Sequence, residues 1–196
     1  MEIKVVLGIL AAIIGGVAYL PYLKDIFALK TKPHAYTWLI WFITNSIALA
    51  GVLFGGGSWG SSSLVIFTLL ILIVFLYSLK YGSKNITTSD TIILILDFIA
   101  VLIWWRLNQP ILSILMITAI DVCGYIPSIR KTFVDPWSET PVAWILFAVS
   151  NLISILALSK YNLLTTTYLA AIMVANIVMF SISYFRRFYA HRKNNP

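Results

Sequence analysis

Charge is scarce in this sequence, and cysteine is nearly missing. Only 11% of the 196 residues are charged, whereas a soluble domain carries about a quarter. So little charge cannot clothe a water-exposed surface, which excludes an ordinary soluble domain. The single cysteine, Cys123, excludes a disulfide within the chain and any cysteine-based metal cluster. His34 and His191 are the only histidines, and neither has a second ligand at metal spacing. There is no HExxH, no phosphate-binding glycine loop and no Ser-His-Asp set. An enzyme is therefore not expected, and no cofactor or metal is called for. The net charge is +7. Its basic residues fall in short stretches between apolar runs rather than on one face, so nucleic acid is not an expected partner.

What the chain does have is apolar length. Hydrophobic residues make up 60% of it, and mean hydropathy is +0.92, the signature of an integral membrane protein whose first partner is the lipid bilayer. A span needs about 20 mostly apolar residues. Seven runs qualify: 5–28, 35–54, 61–80, 90–107, 110–133, 141–159 and 163–185. Lys4 before the first run resembles the start of a signal peptide. No small-x-small cleavage site follows, and the run continues into a repeated stretch, so it is read as a retained helix. Pro33, Pro110 and Pro141 stand where helices begin, where the missing N–H has no partner to lose. Gly55-Gly56-Gly57-Ser58 and the 83–89 stretch read as loops.

The chain also repeats itself. Tyr19, Pro21, Phe27, Trp38, Asn45 and Ile47 recur 106 residues later as Tyr125, Pro127, Phe133, Trp144, Asn151 and Ile153, without a gap. Tyr, Pro, Trp and Asn are uncommon inside apolar helices, so these matches weigh more than matched leucines. Of the Lys and Arg residues, Lys24, Lys30, Lys32, Lys80, Lys84, Arg130, Lys131, Arg186, Arg187, Arg192 and Lys193 fall on one side. Lys4, Arg106 and Lys160 fall on the other. The positive-inside rule puts the larger group in the cytoplasm, with the N-terminus outside and the C-terminus inside. The expected fold is all-α: a polytopic protein of seven transmembrane helices. Residues 1–85 form a first three-helix bundle, 86–108 a linker helix, and 109–196 a second, parallel bundle with a basic tail.

Tyr19-Leu20-Pro21 and Tyr125-Ile126-Pro127, set in this three-one-three arrangement, resemble the PQ-loop and SWEET families of small-solute transporters. The glutamine of the PQ pair is replaced here by Tyr22 and Ser128. Lys32-Pro33 followed by Trp38 is also similar to small bacterial membrane proteins of unassigned function. The resemblance implies the inner (plasma) membrane, a small-molecule solute as partner, and alternating access. It also implies a solute-binding Asn in each third helix, matched by Asn176 in the second half and replaced by Leu69 or Leu70 in the first.

The residues themselves add a depth argument. Asn45, Asp121, Asn151 and Asn176 each lie ten to thirteen residues into a span. At about 1.5 Å per residue this places them 15–20 Å from a membrane face, near the midplane. Asn45, Asn151 and Asn176, with Trp38 and Trp144 two turns from the first two, are the expected substrate-binding residues. The bland alternative is that the asparagines join helices and the tryptophans sit at the interface. A charged carboxylate at a helix centre costs roughly 2.5–3.5 kcal/mol, so Asp121 must face the interior, find a partner, or be protonated. With Tyr125 one turn on as a hydrogen-bond donor, it is the expected proton-coupling group, and protons are an expected partner. Pro21 and Pro127 interrupt their helices and are the expected hinges. Gly8, Ala12 and Gly16 are read as a close-packing stripe. The leading expectation is a transporter of a small neutral or zwitterionic solute. A non-transporting receptor or assembly factor of the same fold is the alternative, and the sequence leaves a homo-oligomer open.

Overall fold

In a computed structural model, residues 2–28, 33, 35–82, 88–134, 136 and 141–194 are described. Among the described residues seven α-helices follow one another: α1 (Glu2–Phe27), α2 (Ala35–Phe54), α3 (Ser62–Tyr81), α4 (Thr88–Leu107), α5 (Pro110–Val134), α6 (Pro141–Ala157) and α7 (Leu163–Asn194). Among the described residues there is no strand. A 3-10 turn over Ser58–Ser61 leads into α3. The proline-marked starts of α5 and α6 are where the sequence puts them. α4 ends on Asn108, whose φ of 50° is the left-handed conformation that asparagine tolerates. α7 continues well past the apolar span predicted to end at 185, because a charged tail can stay helical outside an apolar solvent.

Among the described residues, four segments are long and apolar enough to cross a membrane: Ile3–Lys24, Ala35–Phe54, Ser58–Tyr81 and Leu163–His191. Pro110–Tyr125 and Pro141–Ala157 are shorter apolar helices. Large apolar side chains line the outside, among them Ile3, Ile13, Leu20, Leu76, Leu102 and Leu156. The interior holds Thr44, Asn45, Ser63, Ser113, Asp121, Ser150, Asn151, Ser154 and Asn176. An apolar exterior of this extent suits lipid and not water.

Helix neighbours follow a pattern. α3 packs against both α1 and α2, and α7 against both α5 and α6. Across the middle α1 meets α6, and α2 meets α5. Exchanging α1, α2, α3 for α5, α6, α7 maps each of these contacts onto another. α4 lies outside the exchange, against α5 and α2. It is held by the Ser113 hydroxyl, which donates to the Ala100 carbonyl at 2.8 Å, and by Trp104 edge-on to Phe54. The Asp97 side chain is outside the described residues.

The close approach of α1 to its neighbours runs along Gly8, Ala11, Gly15 and Ala18, all buried, and not along Gly8, Ala12 and Gly16. Gly16 has only Ile66 at ordinary contact distance. The stripe drifts because α1 faces α3 and α6 together, which favours a spacing of three and four residues over a strict four.

Candidate functional site

Tyr168, Thr44, Tyr19 and Tyr125 come to Asp121, which is on α5 and 5% exposed. Tyr168, from the second turn of α7, donates its hydroxyl proton to Asp121 Oδ2 at 2.5 Å. Oδ1 of the same carboxyl is buried and has no hydrogen-bond partner. Thr44 on α2 lies within reach of the carboxyl, while its hydroxyl donates to the Trp41 carbonyl at 3.2 Å. Tyr19 of α1 and Tyr125 of α5 are close enough to couple electrostatically to the carboxyl. Four helices therefore bring side chains to one carboxyl group.

Tyr125 does not serve as the expected donor to Asp121. It donates to Asn176 Oδ1 at 3.2 Å, and its ring packs on Trp144 at 5.7 Å. One helical turn separates Asp121 from Tyr125, but α7 supplies a nearer donor to the first and an acceptor to the second. Tyr168 and Thr44 are the residues that sequence reasoning missed. Thr44 had a readable signal, since its repeat position is also a hydroxyl, Ser150. Tyr168, near the start of a span, looks like any interfacial tyrosine.

Asn45 and Asn151 occupy equivalent places. Each donates its amide to the carbonyl four residues back, Asn45 to Trp41 at 3.0 Å and Asn151 to Phe147 at 2.9 Å. Both are buried, and Asn151 Oδ1 has no partner. Trp38 is buried, stacked on Tyr22 at 5.3 Å and edge-on to Trp41 at 5.1 Å, which makes it part of the core. Trp144 is half-buried between Tyr125 and Phe147. α1 runs through Pro21 without a break. Pro127 falls within α5, and its side chain lies outside the described residues.

The repeat extends to the carboxylate itself. Asp121 aligns with Gly15, and Thr44 with Ser150. Where Thr44 stands by Asp121, the Ser150 hydroxyl stands 2.9 Å from the place a Cβ on Gly15 would take, with the Phe67 ring closer still. The first half thus has the same juxtaposition but no room for an acid. Instead Ser150 Oγ donates to the Ala11 carbonyl at 2.8 Å, and Tyr19 packs on Phe67 and Phe147.

No protein-family model, no curated protein and no solved structure matches this chain. The site must therefore be read from its own chemistry. A buried carboxyl group with one tyrosine donor and one bare oxygen can take up and release a proton.

Proposed function

We propose that this chain is an integral membrane transporter of a small neutral or zwitterionic solute. Two parallel three-helix bundles, α1–α3 and α5–α7, would enclose the solute beside Asn45, Asn151 and Asn176, with α4 as linker. Asp121 couples the cycle to protons. The observation that carries the reading is the Asp121 cluster. It draws Thr44 from the first half and Tyr168 and Tyr125 from the second to one buried carboxyl group. Sites of transporters built from repeats lie at such an interface near the bilayer midplane. The exchangeable pattern of helix neighbours and the matched Asn45 and Asn151 conformations add support.

A second reading, a receptor or assembly factor of the same fold, is favoured by one observation. Asp121 Oδ1 and Asn151 Oδ1 are sealed from solvent, as in a packed interior that admits nothing.

The test begins with thermal unfolding of the purified protein against sugars, amino acids and vitamins, since a ligand that binds only the folded state raises its stability. A stabilising compound is then offered to proteoliposomes under a proton gradient. Transport predicts uptake, and Asp121→Asn should abolish accumulation against a gradient while leaving downhill flux. Accumulation unchanged in Asp121→Asn removes proton coupling through this residue. Binding without flux in either protein favours the receptor.

A further inference from the structure

The two halves are joined at one end of the bundle by a ladder of hydrogen bonds that the solute site does not use. Lys4, in the first turn of α1, donates to the Leu158 carbonyl just past α6 at 2.5 Å and lies 5.9 Å from the centre of the Tyr161 ring. The Ser159 amide donates to the Gly57 carbonyl at 3.2 Å, and the Asn162 amide to the Gly55 carbonyl at 2.9 Å. Deeper, Ser63 and Ser154 hydroxyls share a hydrogen bond of 2.6 Å. Deeper again, Ser150 donates to Ala11. Each rung joins α1 or the α2–α3 region to α6 or the α6–α7 turn. Together they reach from the loops to Ser150, about 10 Å below the end of α6 at 1.5 Å per residue.

Lys4 is an odd choice for its own helix. A cation in the first turn opposes the positive end of the α1 dipole, whereas the same ammonium at the end of α6 meets the negative one. Its position is explained by α6 and not by α1. The glycines support the same contact. A Cβ on Gly60 would come 2.5 Å from Leu158 Cδ2, and one on Gly57 2.9 Å from the same atom. Gly56, at φ 81°, is covered by the aliphatic stem of Lys160. Two of the three basic residues on the sparsely charged side, Lys4 and Lys160, are thus placed in this contact. At the opposite end Tyr77 donates to the Ile26 carbonyl and Arg186 to the Phe133 carbonyl, each within its own half.

We infer that this ladder is a releasable latch, keyed by Lys4 and Asn162, that closes the N-terminal face of the bundle over the interior. The inference rests on the two-half reading above and deepens it by naming the gate on one face. The upper rungs are exposed or half-buried and few, which is where opening free energies are lowest. The serine rungs beneath are sealed while the upper ones hold. Opening separates α1 and α3 from α6 along the Ser63–Ser154 line and uncovers Ser154.

The experiment needs no solute, so it stands apart from the flux assay: a latch can be found in a protein that transports nothing tested. In a Cys123→Ser background, Ser154→Cys is treated in proteoliposomes with a membrane-impermeant methanethiosulfonate. In parallel, Ser63→Cys/Ser154→Cys is oxidised, and remaining thiols are counted by a maleimide-polyethylene-glycol gel shift. With Lys4 and Asn162 intact, Ser154→Cys should be protected, and the double cysteine should oxidise quickly. Adding Lys4→Met and Asn162→Asp, which removes the donor to Gly55 but keeps the oxygen that caps the Leu164 and Thr165 amides, should speed labelling from the Lys4 side about fivefold to thirtyfold, the population change expected from losing one or two ordinary hydrogen bonds, and slow the cross-link. Lys4→Arg, which keeps a donor and a cation, should stay protected. If Lys4→Met does not fold, Asn162→Asp alone carries the test, since it spares the α7 cap. Equal labelling and cross-linking with and without the latch residues overturns the inference, as does labelling of Ser154→Cys from the opposite side only.

Discussion

Gly15 and Asp121 are the same position in the two halves, and the difference between them is steric. On Gly15 a Cβ would run into the Phe67 ring and crowd the Ser150 hydroxyl, while on α5 the equivalent site holds a full carboxylate side chain. Gly15→Ala should therefore cost about 1–3 kcal/mol through overpacking of a filled interior. Gly16→Ala and Gly124→Ala meet only Ile66 at 3.6 Å and Trp41 Nε1 at 3.8 Å. They should be neutral or stabilise by up to about 1 kcal/mol through helix propensity. Thermal unfolding of the three variants in one detergent checks this. Equal stability of all three would show that α1 can move away from α3 and α6 at no cost. The midplane polar residues were legible at this scale because a carboxylate or amide in an apolar run stands out. The partner of Asp121 was not. Nothing in the sequence separates Tyr168 from the other tyrosines until α7 is packed on α5.

Helices were the most legible elements, since each apolar run of the right length must close its own backbone hydrogen bonds in lipid. Prolines at Pro110 and Pro141 then set two starts to the residue. The 3-10 turn at Ser58–Ser61 and the extra turns of α7 were hidden, because neither follows from apolarity. Pro21 shows what an element-level reading can test. It lies inside α1 and cannot donate to the Val17 carbonyl. Pro21→Ala restores that bond, with a gain of about 1 kcal/mol. If Pro21 is a hinge, amide exchange across residues 17–25 should slow in Pro21→Ala, and any solute flux should slow with it. Unchanged exchange would make the proline a passive feature of a stiff helix.

For the whole molecule, the repeat and the charge pattern make a joint claim that either could fail alone. In the structure the α2–α3 and α6–α7 turns lie side by side with the start of α1, and Phe54 meets Trp104 near the α4–α5 turn. These turns belong to the end that carries Lys4, Arg106 and Lys160. Lys24, Lys80, Arg186 and Arg187 are at the other end. A parallel repeat needs the α2–α3 and α6–α7 turns on one side of the membrane, whereas an inverted repeat would put them on opposite sides. The positive-inside rule predicts that this side is the outside. In a Cys123→Ser background, Ser58→Cys, Asn108→Cys and Ser159→Cys, each at an exposed position, should react with an impermeant maleimide on intact cells. His191→Cys, also exposed, should react only after permeabilisation. Ser58→Cys and Ser159→Cys on opposite sides would end the parallel arrangement. The whole pattern reversed would keep the arrangement and turn the protein over, placing the Lys4 latch on the cytoplasmic face.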